Sequence, residues 1–272
     1  MAEAAPASDA HYAYCEALLR ERDRDLWLAC LFAPQPARRH IHAVYAYAIE
    51  ASDVRARVSQ PLLGEMRLRW WSDSLTDEAV ESVRAHPVAD ALLDTATRFD
   101  LPRAELIALA DAHVADLYDD QTPDLATLEA YCHMTSAGPM RWAAKILGAS
   151  PSPVFDEAGL ALGLTRILRA PPGAFYPADL LARHGADIHL DSPGLRAVHA
   201  DLRHRALSSY ESARRAAPTL TKGHEALLPA ATVPLYLARM IGRDYDPWRG
   251  VREPSPLRRQ WRLWRAARGV GL

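Results

Sequence analysis

Prolines divide this chain into segments that read as helices, and this punctuation constrains the fold more than any other feature of the sequence. Between the prolines, alanine, leucine and arginine dominate, and all three residues favour helix. There are no β-branched runs, and no segment alternates apolar and polar residues as a half-buried strand does. Proline is accepted in the first turn of a helix and disrupts its interior, so each one marks a start or an interruption. The sequence therefore predicts an all-α fold.

The predicted helices share apolar spacing of three to four residues and boundaries at Pro, Gly, Ser or Asp. They cover residues 9–22, 23–32, 36–59, 61–85, 87–99, 102–120, 124–148, 153–169, 177–184, 192–217, 223–241 and 256–268. Pro139 is expected to kink one of them, and Pro229 and Pro234 to interrupt another. No internal repeat or low-complexity linker divides the chain. We therefore predict a single helical domain over residues 1–242 and a basic amphipathic tail over 243–272.

Composition excludes several classes of protein. The 272 residues carry a formal net charge of -2, which gives no argument for a nucleic-acid partner. The three cysteines lack Cys-x-x-Cys spacing, which argues against a disulfide framework or a zinc site and suits a reducing compartment. No apolar run approaches the roughly 18 residues of a spanning helix, and the first residues do not resemble a signal peptide. We expect a cytoplasmic protein.

Two helical segments place ionisable groups near the predicted core. His113 lies on the apolar stripe of the segment 102–120, where we interpret it as a hydrogen-bonded core histidine rather than a metal ligand. The same segment ends with Asp116 and Asp120, whose spacing would place both carboxylates on one helix face. A solvated helix end is the alternative explanation for this pair.

Two stretches carry a resemblance to a known family. Residues 158–185 read A-G-L-A-L-G-L-T-R-I-L-R-A-P-P-G-A-F-Y-P-A-D-L-L-A-R-H-G, an apolar helix, a Pro-Pro-Gly break and a second helix. Residues 43–58 read A-V-Y-A-Y-A-I-E-A-S-D-V-R-A-R-V. Both resemble the squalene/phytoene synthase family, and the likeness runs from about Tyr12 to Tyr236. The resemblance implies an isoprenoid-synthase-like helical bundle around a central cavity, with Tyr45, Arg67, Arg169 and Tyr176 as candidate lining residues.

The resemblance also implies aspartates that hold magnesium and a diphosphate, and this chain lacks most of them. In the first stretch the outer aspartates of the family pattern fall on Ser52 and Ala56, so that only Asp53 remains. In the second stretch, Ala170 to Ala174 stand where an aspartate pair would follow Arg169. Magnesium prefers oxygen ligands such as carboxylates. We therefore predict a non-catalytic protein without catalytic residues, bound metal or cofactor.

The alternative is an active prenyltransferase that condenses two isoprenyl diphosphates head-to-head. Such an enzyme would use Glu50, Asp53, Asp116 and Asp120 as a displaced magnesium site. A competing interpretation places Glu50, Asp53, Arg55 and Arg57 on one polar helix face, where they form mutual ion pairs.

One branch of the family that lacks the aspartates resembles this chain in several segments. The segments are E-A-S-D-V-R-A-R-V-S, G-E-M-R-L-R-W-W, A-Y-C-H-M-T-S, L-R-A-P-P and L-L-P-A-A-T-V-P-L-Y-L. That branch contains respiratory complex I assembly factors. The resemblance implies a role in assembling NADH:quinone oxidoreductase, with subunits or assembly intermediates of that complex as partners and an isoprenoid lipid as a ligand.

The tail over 243–272 holds eight arginines and three acidic residues. Leu257, Trp261 and Trp264 fall on one face of its predicted helix, and arginines including Arg262 and Arg265 line the rest. This composition suits a helix that lies on an anionic membrane surface. It equally suits a helix whose tryptophans dock on the bundle while its arginines face solvent. The first interpretation predicts a peripheral protein of the inner membrane.

Overall fold

The structure, a computed structural model, describes residues 7–76, 83–242, 245–269 and 271–272. Every regular element in this part of the chain is helical, which confirms the all-α prediction. The α helices, numbered in chain order, are α1 (Asp9–Arg22), α2 (Arg24–Cys30), α3 (Gln35–Ser52), α4 (Val54–Arg57), α5 (Pro61–Ser74), α6 (Pro87–Arg98), α7 (Arg103–Ala112), α8 (Leu125–Cys132), α9 (Gly138–Ile146), α10 (Pro153–Arg169), α11 (Ala178–Arg183), α12 (Pro193–Ala216), α13 (Val233–Leu237) and α14 (Pro256–Ala267).

Short polar side chains begin many of these helices where the sequence predicts them. Ser8 accepts a hydrogen bond from the backbone of α1, and Asp23, Asp124 and Ser192 do the same for α2, α8 and α12. Each cap satisfies a backbone N–H that has no partner inside its helix. Helix α10 begins and ends at the predicted residues, 153 and 169.

Helix α10 is the centre of the bundle. It packs along α12 and also contacts α8, α9 and α13, so that buried side chains occur all around it. A Cβ atom on Gly159 would lie 2.3 Å from the Cα of Ala137. Only glycine therefore permits this approach of α10 to the segment before α9. Helices α1, α3 and α6 pack on one another, and α9 joins them to the layer around α10.

Three predicted helices differ from the observed ones. The helix expected over 36–59 breaks at Asp53, between α3 and α4. The helix expected through Asp120 ends at Ala112 and is followed by a short 3₁₀ turn, Ala115–Leu117. The predicted helix 61–85 is observed to Ser74; part of its remainder, 77–82, lies outside the described residues.

Proline chemistry explains the irregular geometry of two further segments. A π-helical turn, His133–Ala137, separates α8 from α9 and lies just before Pro139. Pro139 has no N–H to bond the carbonyl four residues earlier, so the irregularity falls one turn before the proline. Pro229 and Pro234 likewise turn the predicted helix 223–241 into 3₁₀ turns around α13.

The basic tail contributes α14, and this helix packs against the bundle. Leu263 and Ala266 are buried against Ala29 of α2 and against Leu228 and Ala231 of the 3₁₀ segment His224–Thr232. No helix in the described part of the chain is both long and apolar enough to cross a membrane.

Candidate functional site

A cavity of about 600 Å³ lies between α2, α3, the π-helical turn and the C-terminal half of α10. Tyr45 and Tyr176, both candidate lining residues, lie in its wall. Burial raises the pKa of each phenol above the ordinary value for tyrosine, so both groups stay neutral. Gly163 also lines the cavity, and a Cβ there would lie 2.9 Å from the Cβ of Cys132. The missing side chain at Gly163 thus permits the close approach of α8 to α10 beside the cavity.

The other two candidate lining residues lie elsewhere. Arg67 is exposed on α5 and does not line the cavity. Arg169 points from the end of α10 toward the tail, where its guanidinium lies 4.2 Å from the ring centroid of Tyr236 and 2.7 Å from Glu253. The structure therefore does not place these two arginines in the cavity wall. For Arg169 the reason is that sequence spacing does not determine the direction that a long side chain takes at a helix end.

Three carboxylates at or beside the cavity are paired with arginines, whereas Glu21, which also lines the cavity, makes no ion pair among the described residues. Asp53 accepts hydrogen bonds from Arg22 and, at 3.2 Å, from Arg57. Arg57 also bonds Glu50 at 2.8 Å. We call these four residues, together with the pair Asp23 and Arg166, the arginine–carboxylate rim. Asp23 accepts from Arg166 at 3.1 Å and from the backbone N–H of Leu26 at 3.0 Å.

The rim is electrically balanced, since it contains three arginines and three carboxylates. Glu50 is 9% exposed and depends on Arg57 for compensation of its charge. Partial burial alone would lower the pKa of Arg57, but the carboxylates of Glu50 and Asp53 raise it. The ion pairs of Glu50 and Asp53 with Arg57 agree with the competing interpretation, whereas Arg55 makes no ion pair among the described residues and the other partner is Arg22 of α1.

A second polar group lies in the cavity wall. His113 and Tyr131 both line the cavity, and both bond the same oxygen of Asp116, at 2.7 Å and 3.1 Å. Burial, and then the charge of Asp116, raise the pKa of Tyr131 well above its usual value, so its hydroxyl remains a donor. His113 is thus buried and hydrogen-bonded, as expected from its place on an apolar stripe.

The four residues of the displaced magnesium site do not come together. Asp120 is exposed beyond the 3₁₀ turn, so its spacing from Asp116 is not helical. Glu50 and Asp53 share Arg57, whereas Asp116 bonds His113 and Tyr131. Within residues 7–76, 83–242, 245–269 and 271–272, no three His, Cys, Asp or Glu side chains converge as a metal site would require. The residues present do not fit magnesium, and we derive no chemistry through that ion.

Sequence reasoning did not identify Tyr131 or Arg22 as site residues. Tyr131 lies in A-Y-C-H-M-T-S, one of the segments that carry the resemblance, which was the available signal. Arg22 ends α1, a helix that no motif connected with the cavity.

The candidate surface residues of the tail divide into two groups. Leu257, Trp261, Trp264 and Arg265 are exposed on α14. Arg262 faces the bundle, where it donates to the Ala231 carbonyl at 2.9 Å and to the Tyr210 hydroxyl. Arg262 is therefore partly buried, unlike the other four candidates. The alternative in which the tryptophans dock on the bundle is not observed.

Comparisons with known proteins agree with this fold. The family model described as squalene/phytoene synthase matches residues 19–265. A rat protein named NADH dehydrogenase (ubiquinone) complex I, assembly factor 6 is 28% identical over 186 residues, which cover 65% of this chain and 56% of the relative. A presqualene diphosphate synthase from Sinorhizobium fredii is 27% identical over 141 residues, half of each chain.

Among solved structures, a dehydrosqualene synthase in complex with a ligand superposes with a TM-score of 0.78 and 21% identity, covering 94% of this chain and 95% of the other. This likeness shows the fold. The chain spans about half the length of the curated relatives it matches. Since the family model matches nearly the whole sequence, the chain belongs to the squalene/phytoene synthase family.

Proposed function

We propose that this chain is a non-catalytic member of its family that assists assembly of respiratory complex I, the NADH:quinone oxidoreductase. The observation that carries the proposal is the arginine–carboxylate rim. Ionisation of an isoprenyl diphosphate requires cations that neutralise the leaving group. Asp23 and Asp53, which line this cavity, and the neighbouring Glu50 are already neutralised by arginines of the same chain.

The similarity to complex I assembly factor 6 proteins supports the assembly role. Four mammalian relatives bear that name, with identities of 27% to 29%. Under this proposal the partners are subunits or assembly intermediates of complex I, the cavity holds an isoprenoid lipid, and the protein works in the cytoplasm at the inner-membrane surface.

The first experiment deletes the gene and measures NADH:quinone oxidoreductase activity and the assembled complex in membranes. We expect both to fall, whereas succinate:quinone oxidoreductase activity in the same membranes stays constant. Complementation with Asp53→Asn should restore the complex, since no metal ligand is lost. Asp73→Asn, which removes an exposed carboxylate paired with Arg69 at 3.0 Å, is the matched control. Unchanged complex levels after deletion would contradict the proposal.

The competing hypothesis is the head-to-head prenyltransferase, which the similarity to a presqualene diphosphate synthase favours. Purified protein is incubated with farnesyl or geranylgeranyl diphosphate and magnesium, and pyrophosphate release is measured. We expect no release above that of heat-denatured protein. Release that Asp53→Ala or Asp116→Ala abolishes would establish the enzyme and replace our proposal.

A further inference from the structure

Helix α14 has two chemically different faces. One face is docked, with Leu263 and Ala266 at 2% and 3% exposure. The other presents Leu257, Trp261 and Trp264 to solvent, at 78%, 56% and 44% exposure. Large apolar side chains that line up on one exposed helix face indicate a contact surface, whereas scattered ones need no explanation.

The arginines of α14 and its C-terminal cap also differ between the two faces, since pairs with carboxylates of the described residues occur only on the docked side. On the docked side, Arg259 pairs with Asp25 and Glu253, both at 2.8 Å. On the exposed side, Arg258, Arg265 and Arg268 make no ion pair with any carboxylate of the described residues. No acidic residue occurs after Glu253. This surface therefore carries uncompensated positive charge.

The exposed arginines and tryptophans are combined into one surface. The guanidinium of Arg265 lies 5.4 Å from the ring centroid of Trp261, and that of Arg268 lies 3.9 Å from the ring centroid of Trp264. Stacking of this kind keeps an aromatic ring and a cation side by side. We define the α14 outer face as Leu257, Arg258, Trp261, Trp264, Arg265 and Arg268.

We propose that the α14 outer face docks the protein on an anionic lipid bilayer. Tryptophan favours the level of the lipid headgroups, because its ring is largely apolar and its N–H is polar. Arginines in the same plane then meet the lipid phosphates, whose charge they complement. A helix of 12 residues is only about 18 Å long, against a hydrocarbon thickness of about 30 Å, so α14 lies in the interface and does not cross it.

The docked side of α14 connects this surface to the cavity. Arg259 bonds Asp25 of α2, and the neighbouring Asp23 and Leu26 line the cavity. Glu253 joins Arg259 to Arg169 at the end of α10, whose preceding turn also lines the cavity. Membrane contact through α14 would thus fix the orientation of the cavity opening relative to the bilayer. The inference deepens the proposed function, since it names the surface behind the peripheral location.

Flotation of the purified full chain with vesicles tests the inference. Vesicles of phosphatidylcholine with phosphatidylglycerol are compared with vesicles of phosphatidylcholine alone. We expect binding to the anionic vesicles only, and weaker binding as the salt concentration rises. The variant Arg258→Glu/Arg265→Glu/Arg268→Glu should lose at least about 100-fold in affinity, because each arginine near an anionic surface contributes about fivefold.

The tryptophans are tested separately. Trp261→Ala/Trp264→Ala should weaken binding about 30-fold through lost apolar burial, with the salt dependence retained. The matched charge control is Arg55→Glu/Arg67→Glu/Arg183→Glu, which reverses three exposed arginines on other helices. The matched apolar control is Leu62→Ala/Met66→Ala, which removes exposed side chains of α5. Both controls should bind as the wild type does.

Three results would overturn the inference. They are no flotation of the wild type with anionic vesicles, equal flotation with neutral vesicles, and α14 variants that bind as well as their controls. Capture of an acidic protein by the α14 outer face without vesicle binding would assign the surface to that partner instead. Circular dichroism confirms that each variant is folded. Failure with vesicles leaves the complex I deletion experiment unaffected, so the two hypotheses fail separately.

Discussion

The arginine–carboxylate rim and the α14 outer face use the same side chain for opposite purposes. At the rim, Arg22, Arg57 and Arg166 each bond a carboxylate of a neighbouring helix or turn. On the outer face, the arginines lack such partners among the described residues and lie beside exposed aromatic rings. A guanidinium held by a carboxylate closes a site, whereas one without a carboxylate is available to an external anion.

The arginine pairs of the rim also account for the stability of two neighbouring carboxylates. Glu50 and Asp53 are close to each other in a partly buried place, where two negative charges need compensation. Magnesium could supply that charge, but it can also leave and can bridge to a phosphate. Arg57 supplies charge from within the chain. The rim is therefore a structural element that stabilises the end of α3.

The largest expected effect is a difference in stability between a variant of the docked face of α14 and a variant of its exposed face. Leu263→Ala should lower the free energy of unfolding by about 3 kcal/mol, because it leaves a cavity against Leu228 and Ala231. Leu257→Ala, on the same helix but 78% exposed, should change it by less than about 0.5 kcal/mol. Urea unfolding measures both. Similar values for the two variants would mean that α14 does not dock as described.

Removing the central arginine of the rim should have the next largest effect. Arg57→Met leaves Glu50 buried without a partner, and we expect a loss of about 2 kcal/mol in the free energy of unfolding. The value lies below that of a fully buried pair, since the arginine side chain is 38% exposed.

Arg55→Met is the matched control for that variant. Arg55 lies two residues away on the same short helix and is exposed, so its replacement should cost less than about 0.5 kcal/mol. Equal stability of the two variants would show that the rim does not compensate Glu50, and the contrast with the outer face would then disappear.

A pH-dependent effect concerns the interior, where ionisable groups are kept neutral. His199 lies behind the cavity wall beside Tyr176 and bonds the Tyr245 hydroxyl at 3.1 Å. Burial lowers its pKa to about 4, below the ordinary value of 6.5. The stability that comes from this depressed pKa is complete above pH 6.5 and is lost as the pH falls toward 4, because the unfolded chain binds the proton first.

Between the two pKa values, the unfolding free energy of the wild type should fall with decreasing pH. His199→Gln should reduce that slope by about 1.4 kcal/mol per pH unit. Tyr245→Phe removes the same hydrogen bond but keeps the titrating ring, so it should lower stability without changing that slope. Unfolding free energies measured at several pH values distinguish these outcomes. Parallel pH curves for His199→Gln and the wild type would contradict the assignment.

Local rules predicted much of the fold and part of the site. Caps and prolines fixed the beginnings of α1, α5, α6 and α10, because these preferences depend on a few neighbouring residues. Tyr45 and Tyr176, inferred by resemblance, lie in the cavity wall. The early end of α7 escaped prediction, since apolar periodicity continues through Leu117 although the backbone does not.

The sequence by itself determined the helical class, the family and the absence of the aspartates, since these are properties of residue type and order. Only the tertiary structure decided which arginine meets which carboxylate. Arg22 and Asp53 are separated by 31 positions in the chain, and Arg166 and Asp23 by 143. Such pairs form when packing brings helices together, and the ends of long side chains then take whichever partner lies within hydrogen-bonding distance.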